Sequence, residues 1–478
     1  MHKNMSESSF AVKAEDHALV SVPLNERKSG YHLSMSTIGV ATALAIFAIG
    51  GFSVILAGFK AGVTAGIVSG ILSFILGKLL AQIAFRTGMS STLTLRFYGL
   101  GFKGSALGSF IFSFLVLGFL ALENALLYEG TLLMFDLHDT LAVKLGVYTL
   151  LTFFWVSLAI FGIRLALRSS ALLTFVTLLI TFFLIYQIYV MQGVSFNEVL
   201  AFKGIVPGNG WTKFEAAFAL TGGTAGSMAL ISADFGRYSR SSKDVTILAA
   251  LGPMVQNVFT VILGALIFIG SLPQIVNYLI IKQPGLAPEA ARAAAQNFAM
   301  GNTGAYYVIL AGWLGFITIY AAQAKAQTIN AYSGSLALVN LVDTLLGIRP
   351  GRAVMVILGN LIALAMIAVG ILESFTTWIA WLGCMTMALC GTMIADFYLV
   401  QRGKAMPHKV ENWNWAGVLS LIISTTVGIW LINTNIFICG FVITLILALI
   451  LYPILRTLIP SGTGTRYIQE NTAIKEAV

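Results

Sequence analysis

Apolar runs long enough to cross a bilayer recur along the whole chain, and they constrain its fold more than any other feature. A helix needs about 20 mostly apolar residues to span the hydrocarbon core. Runs of that length fall at 33–58, 61–85, 104–128, 140–163, 169–192, 214–236, 246–271, 304–330, 353–372, 375–399, 414–432 and 434–455. The expected fold class is therefore an all-α polytopic membrane protein with about 12 transmembrane helices. The chain is 58% hydrophobic and 10% charged, whereas soluble domains carry about 25% charged residues. Apolar surface on this scale is buried only in lipid, which excludes disordered, collagen-like, coiled-coil and disulfide-scaffold chains.

The basic residues report orientation. If the N-terminus is cytoplasmic, 20 of the 28 Lys and Arg residues fall in inner segments, against six on the outer side and two, Lys78 and Lys325, inside spans. The positive-inside rule then places both termini in the cytoplasm and the chain in the plasma (inner) membrane. Residues 1–32 read as a soluble tail, because the apolar core of a signal peptide would come earlier and be shorter. Two stretches between spans read as short helices: Ala287–Met300 on the outer side and Ser333–Gly347 on the inner side.

Glycines interrupt two spans. In the sixth, Thr221-Gly222-Gly223-Thr224-Ala225-Gly226-Ser227 puts three glycines in five positions near mid-membrane, and in the first, Gly39 and Gly50-Gly51 bracket Val40–Ile49. Glycine weakens a helix by about 1 kcal/mol per residue relative to alanine, and unwound backbone is tolerated in a membrane only where it lines a cavity. Interruptions at corresponding positions of two halves are the expected mark of inverted repeats. The organisation expected is a tail at 1–32, a first five-helix repeat at 33–192, an external linker at 193–213, a second repeat at 214–400, two additional helices at 401–459, and a tail at 460–478.

Polar groups inside the spans are candidates for function, since an ionised side chain at the bilayer centre costs about 2.5–3.5 kcal/mol even on the lenient insertion scale. Glu123 lies in an apolar run and is expected to face the bundle interior, with Phe119 four residues earlier on the same helix face. Tyr320, Gln323, Gln327 and Asn330 form a polar stripe on the eighth span, able to read the edges of a flat polar ligand. Lys325 lies on another face of that helix and either snorkels to the interface or stands as a fixed or titrating cation. Asp234 and Arg237 close the sixth span as an inner gate or a helix-end salt bridge. The five histidines lie outside the spans, and Cys384, Cys390 and Cys439 lack C-x-x-C spacing. No metal cluster, disulfide framework, cofactor or nucleic-acid partner is implied, and enzyme chemistry has little to stand on.

These residues resemble a known family, the nucleobase-cation-symport-1 transporters, in particular the bacterial purine and cytosine permeases. The resemblance runs from Val22-Pro23 through Arg402. It rests on Arg27-Lys28-Ser29-Gly30 before the first span, Arg86-Thr87-Gly88-Met89, Arg96-Phe97 and Lys103-Gly104-Ser105 around the entry to the third, Ala233-Asp234-Phe235 with Arg237 and Arg240 after the sixth, and Ile394-Ala395-Asp396-Phe397 closing the tenth. It implies the five-plus-five inverted-repeat (LeuT-like) fold with two further helices, working by alternating access. It also implies that Phe119 stacks on the substrate and places Glu123 where the related hydantoin transporter carries a substrate-bonding glutamine. Gly223, Thr224 and Ala225 fall at the broken sixth helix, with Ala225 where relatives often carry a second aromatic, which argues against a two-sided aromatic sandwich.

Sodium-coupled relatives use carbonyls of the first helix, near Gly39 and Ala43 here, and a hydroxyl pair on the eighth. The matching positions are Ala321 and Ala322, with Lys325 one turn onward. A hard cation needs oxygen ligands and these offer methyl groups, which favours proton over sodium coupling. The function expected is import of a nucleobase of the cytosine or purine class. A heterocyclic vitamin precursor, a hydantoin- or allantoin-like compound or a small organic cation is the alternative, and an integral-membrane enzyme or a channel are readings of other classes.

Overall fold

The computed structural model describes residues 21–161, 163–348, 350–404, 409–459 and 466–467. Of the tails expected from the sequence, residues 1–20, 460–465 and 468–478 lie outside these. Ten described helices, five of them carrying a short break or a π turn, are long and apolar enough to cross a membrane, and a pair bent by 65° makes an eleventh span. The bent pair is α1 (Gly30–Ala41) and α2 (Leu44–Ala57). There follow α3 (Phe59–Thr87), α4 (Gly101–Met134), α5 (Leu141–Phe161) and α6 (Ile163–Tyr186), the last continued by a π-helical turn at Gln187–Met191.

The second half begins with α7 (Gly210–Gly223) and α8 (Ala225–Gly236), which form one span interrupted at Thr224. Next come α9 (Ser242–Met254) and α10 (Thr260–Gly270), joined by a π-helical turn at Val255–Phe259 to make the seventh span. Two short helices, α11 (Leu272–Lys282) and α12 (Pro288–Gly301), lead to α13 (Thr303–Leu346). The 17-residue α14 (Arg352–Ala368) takes the place of the ninth span, followed by α15 (Phe375–Ile394), α16 (Trp415–Asn433) and α17 (Gly440–Leu458). At 17 residues α14 is about 26 Å long, at the short limit for crossing the hydrocarbon core.

Helix ends follow local chemistry. Asn209, Ser241 and Asn414 accept amide hydrogen bonds at the starts of α7, α9 and α16, which satisfies donors that a helix leaves unpaired. Gly88 and Gly347 take the left-handed conformation that ends α3 and α13, at φ 68° and 69°.

Three expectations need correction. The inner helix read at Ser333–Gly347 is not separate: it continues the eighth span to Leu346, and the break in α13 lies instead at Gly312, with φ 53° and ψ −125°. Its polar residues find partners on and just before α4, with Asn340 Nδ2 donating to Ser109 Oγ at 2.6 Å and Arg96 Nη2 to Asp343 Oδ2 at 2.6 Å. The first span breaks at Thr42-Ala43, while Gly39 is helical in α1 and Gly50-Gly51 are helical in α2. Those two glycines serve packing, since a Cβ on Gly50 would stand 2.7 Å from Thr260 O and one on Gly51 would overlap Phe268. In the sixth span the interruption shrinks to the single residue Thr224. The outer stretch expected at Ala287–Met300 is helical, as α12.

The arginine-rich end is held by carboxylates that cap loop amides. Gly30 N–H donates to Asp244 at 2.7 Å, Ser91 N–H to Asp234 at 2.7 Å and Gly99 N–H to Asp396 at 2.6 Å. The segment before α1 crosses the same end: Val22 N–H bonds Gly88 O at 2.9 Å, and Lys28 N–H bonds Tyr238 O at 2.7 Å. Burial lowers Arg27 from its usual value and, with Asp396 nearby, pushes the Tyr98 hydroxyl up to about 12.

Candidate functional site

Polar groups meet at the break in the first span. Thr42 and Ala43 N–H still reach back to Ile38 and Val40 carbonyls, and α2 starts with Ile46 and Phe47 N–H on Ala43 O. The carbonyls of Ala41 and Thr42 therefore stand outside both helical ladders. The Lys325 side chain comes to this point from α13, with Nζ donating to Thr42 Oγ1 at 2.5 Å and to Thr174 Oγ1 of α6 at 3.0 Å. Lys325 is 1% exposed, so it does not snorkel; Lys78, by contrast, is exposed. Of the residues expected at this place, Ala43 and Ala322 are buried and Ala321 is half-buried, and Lys325 is the one that reaches across the break.

Glu123 is 2% exposed in the middle of α4, one turn from the buried ring of Phe119. Asn330 Nδ2 of α13 approaches its carboxylate at 3.4 Å. The charge acting on it from nearby is that of Lys325, yet the two form no direct ion pair. Among the described residues, no cation lies within ion-pair distance of this buried carboxyl group.

The polar stripe on α13 turns out to face α4 along its length. Tyr320 and Thr131 share a hydroxyl hydrogen bond at 2.8 Å, and Gln327 Nε2 donates to Leu120 O at 3.1 Å and to Asn124 Oδ1 at 2.8 Å. Asn124 Oδ1 also accepts from the indole of Trp155 on α5 at 2.9 Å. Gln327 is therefore held in a seam between helices, though its Oε1 stays without a partner. Gln323 is fully buried and neither its Oε1 nor its Nε2 has a partner. A buried amide left unmatched costs about 1–3 kcal/mol, which singles out Gln323 as a group able to bond a ligand.

At the sixth-span interruption, Thr224 Oγ1 donates to Thr221 O at 2.8 Å and accepts from Gln256 Nε2 at 3.0 Å. Gln256 lies on the π turn of the seventh span, and Ser69 of α3 pairs with Thr221 at 2.7 Å. The Ala225 carbonyl takes Ser73 Oγ at 3.4 Å. Gly223 is packed by α15, where a Cβ on Gly383 would come 3.0 Å from the Gly223 backbone. Ser227 Oγ is buried without a partner. At the C-terminal end of α8, Arg237 Nε donates to the Asp234 carbonyl at 3.1 Å while the Asp234 carboxylate caps Ser91.

Sequence reasoning missed three participants. Thr174 and Gln256 carry no local signal, because each acts through a partner on a span distant in sequence. Trp378 of α15 is the third: its ring meets Phe119 edge-on at 5.1 Å and 80°, and one tryptophan among 8 gives no reason to single it out.

The whole chain superposes on solved transporters. It matches the inward-facing conformation of Mhp1 with a TM-score of 0.71 at 17% identity, covering 96% of this chain and 97% of that one. Mhp1, a nucleobase-cation-symport-1 family transporter, closed with bromovinylhydantoin bound, matches with a TM-score of 0.66 at 18% identity over 96% and 99% of the two chains. A sodium-coupled sialic acid symporter in a substrate-bound outward-open state matches with a TM-score of 0.66 at 13% identity over 96% and 95%. No family model and no curated protein matches the sequence.

Proposed function

We propose, from a LeuT-like fold shared with Mhp1 and from the site, that the chain imports a nucleobase of the cytosine or purine class across the plasma (inner) membrane by alternating access, with both termini cytoplasmic. The observation that carries the reading is Glu123: a carboxyl group buried within the apolar α4, one turn from Phe119, with no cation paired to it among the described residues. An ionised carboxylate accepts hydrogen bonds only, so it suits the donor-rich edge of cytosine or guanine while Phe119 packs on the ring. Gln323, buried and unmatched, supplies both a donor and an acceptor to a second edge. In this reading Gly223, Thr224 and Ala225 meet the substrate from the interrupted sixth span.

The coupling ion in this reading is a proton. Lys325 puts an ammonium at the first-span break, against Thr42 and Thr174. A sodium ion there would meet like charge, and the hydroxyl oxygens of Thr42 and Thr174 that could hold it are already bonded to the Lys325 side chain. In this reading Gly39, Ala43, Ala321 and Ala322 ligate no second cation. The same unpaired carboxylate favours a small organic cation as the second reading.

Proteoliposome uptake tests the proposal. Saturable uptake of labelled cytosine or guanine, driven by an inward proton gradient and indifferent to sodium, is the expected result. Uptake of organic cations with no competition by nucleobases would replace the substrate, and uptake driven by sodium alone would overturn the coupling.

A further inference from the structure

The Trp378 side chain stands where the candidate site meets the interrupted sixth span. The next residue, Ile379, places its Cγ2 within ordinary contact range of a Cβ on Gly223, and Gly383, one turn further along α15, lies against the Gly223 backbone. On its other side the indole leans on α4 at Gly118, where any Cβ would overlap it at 2.2 Å from Cζ2. It is thereby set nearly perpendicular to the ring of Phe119. Two aromatic walls close to right angles thus stand one turn from the Glu123 carboxylate, although the sixth span offers only Ala225.

The indole is 6% exposed, and its Nε1 is buried without a hydrogen-bond partner. Buried tryptophan N–H groups usually find an acceptor, and one left without an acceptor carries the full cost of its desolvation. Phenylalanine would supply the same apolar wall without that cost. Trp155, by comparison, sits as deep and has its N–H on Asn124.

We propose that Trp378 is a specificity-determining residue: its indole N–H donates to a ring nitrogen or carbonyl oxygen of the bound heterocycle, on a different edge from the one that Glu123 bonds. This rests on the nucleobase reading above and sharpens it. Glu123 only accepts and the indole only donates, so the pair selects rings that present a donor edge and an acceptor edge together. A ring that lacks the acceptor leaves the indole unmatched, and is discriminated against.

The test compares wild type with Trp378→Phe in detergent, by equilibrium binding of cytosine, guanine and analogues. In each analogue one ring nitrogen is replaced by C–H or the carbonyl by thiocarbonyl. The expected result is that one replacement weakens binding to wild type about tenfold but leaves Trp378→Phe indifferent to it. If Trp378→Phe weakens every probe by one factor, or none, the indole serves only as a wall and the proposal falls. If wild type binds neither cytosine nor guanine, the nucleobase reading fails first and takes this one with it. Should the phenylalanine variant fail to fold, replacing Trp378 by benzothienylalanine keeps the shape and removes the N–H. Selective indifference to one replacement then supports the proposal, and a uniform effect overturns it.

Discussion

Lys325 Nζ donates to Thr42 Oγ1 at 2.5 Å, so the one buried ammonium of the eighth span is tied to the residue at which the first span bends by 65°. A third helix joins through Thr174 on α6. Hydrogen bonds to a charged group contribute about 1.5–3 kcal/mol each, and here they link three spans.

Replacing this lysine separates anchoring from coupling. Lys325→Met is expected to leave a folded protein of lowered thermal stability, whose nucleobase exchange across proteoliposomes persists while accumulation against a gradient is lost. Uptake that still responds to the proton gradient as in wild type would remove Lys325 from coupling.

The ion pair at the arginine-rich end makes a second prediction. Arg96 and Asp343 meet at 2.6 Å with side chains 10% and 8% exposed, and Arg96 also packs over Phe102 at 4.6 Å. Removing one partner of such a pair strands the other, at a cost of about 3–5 kcal/mol. Asp343→Leu is expected to lower the melting temperature sharply, and the double change with Arg96→Met to recover part of the loss. Equal stability of the single variant and wild type in thermal denaturation would refute this.

Packing glycines give a third. Gly50→Ala places a methyl 2.7 Å from the Thr260 carbonyl, where both sides are backbone and neither yields easily. Overpacking of this kind costs about 1–3 kcal/mol, so the variant is expected to unfold at lower temperature than wild type. Gly146→Ala, inside α5 at a position where nothing lies within 4 Å, is expected to unfold at the wild-type temperature or slightly above it. Identical loss in both would show that glycine as such, and not the close approach, is at work.

The spans were legible in the sequence because each must be apolar for its full length, a property of local composition. The breaks were less so. Glycine was read as the cause of unwinding, yet the first span opens at Thr42-Ala43, with no glycine in the gap, and Gly50 and Gly51 instead admit the seventh span closely. What supports that break is Lys325 and Thr174, from helices far along the chain. Ser333–Gly347 was read as a separate helix, whereas it continues α13, with Asn340 and Asp343 satisfied by Ser109 and Arg96 from distant sequence. Glu123 and Lys325 were legible as candidates because a charge in lipid demands an explanation. The stripe through Gln327 was legible as polar, but only the packing of α13 on α4 shows that much of it is spent between helices. Trp378 was not legible, since its one unusual property is a donor with nothing beside it.

The most direct test of the account is the affinity of Glu123→Gln for cytosine and guanine. A glutamine keeps the shape and can still meet Asn330, but it replaces half of the acceptor capacity with a donor and removes the charge. Equilibrium binding to the purified variant is expected to be about 10- to 100-fold weaker than to wild type, the loss of one charge-assisted hydrogen bond, with thermal stability in the absence of ligand retained. Binding of both nucleobases at wild-type affinity would contradict the central claim that the buried carboxylate reads the substrate.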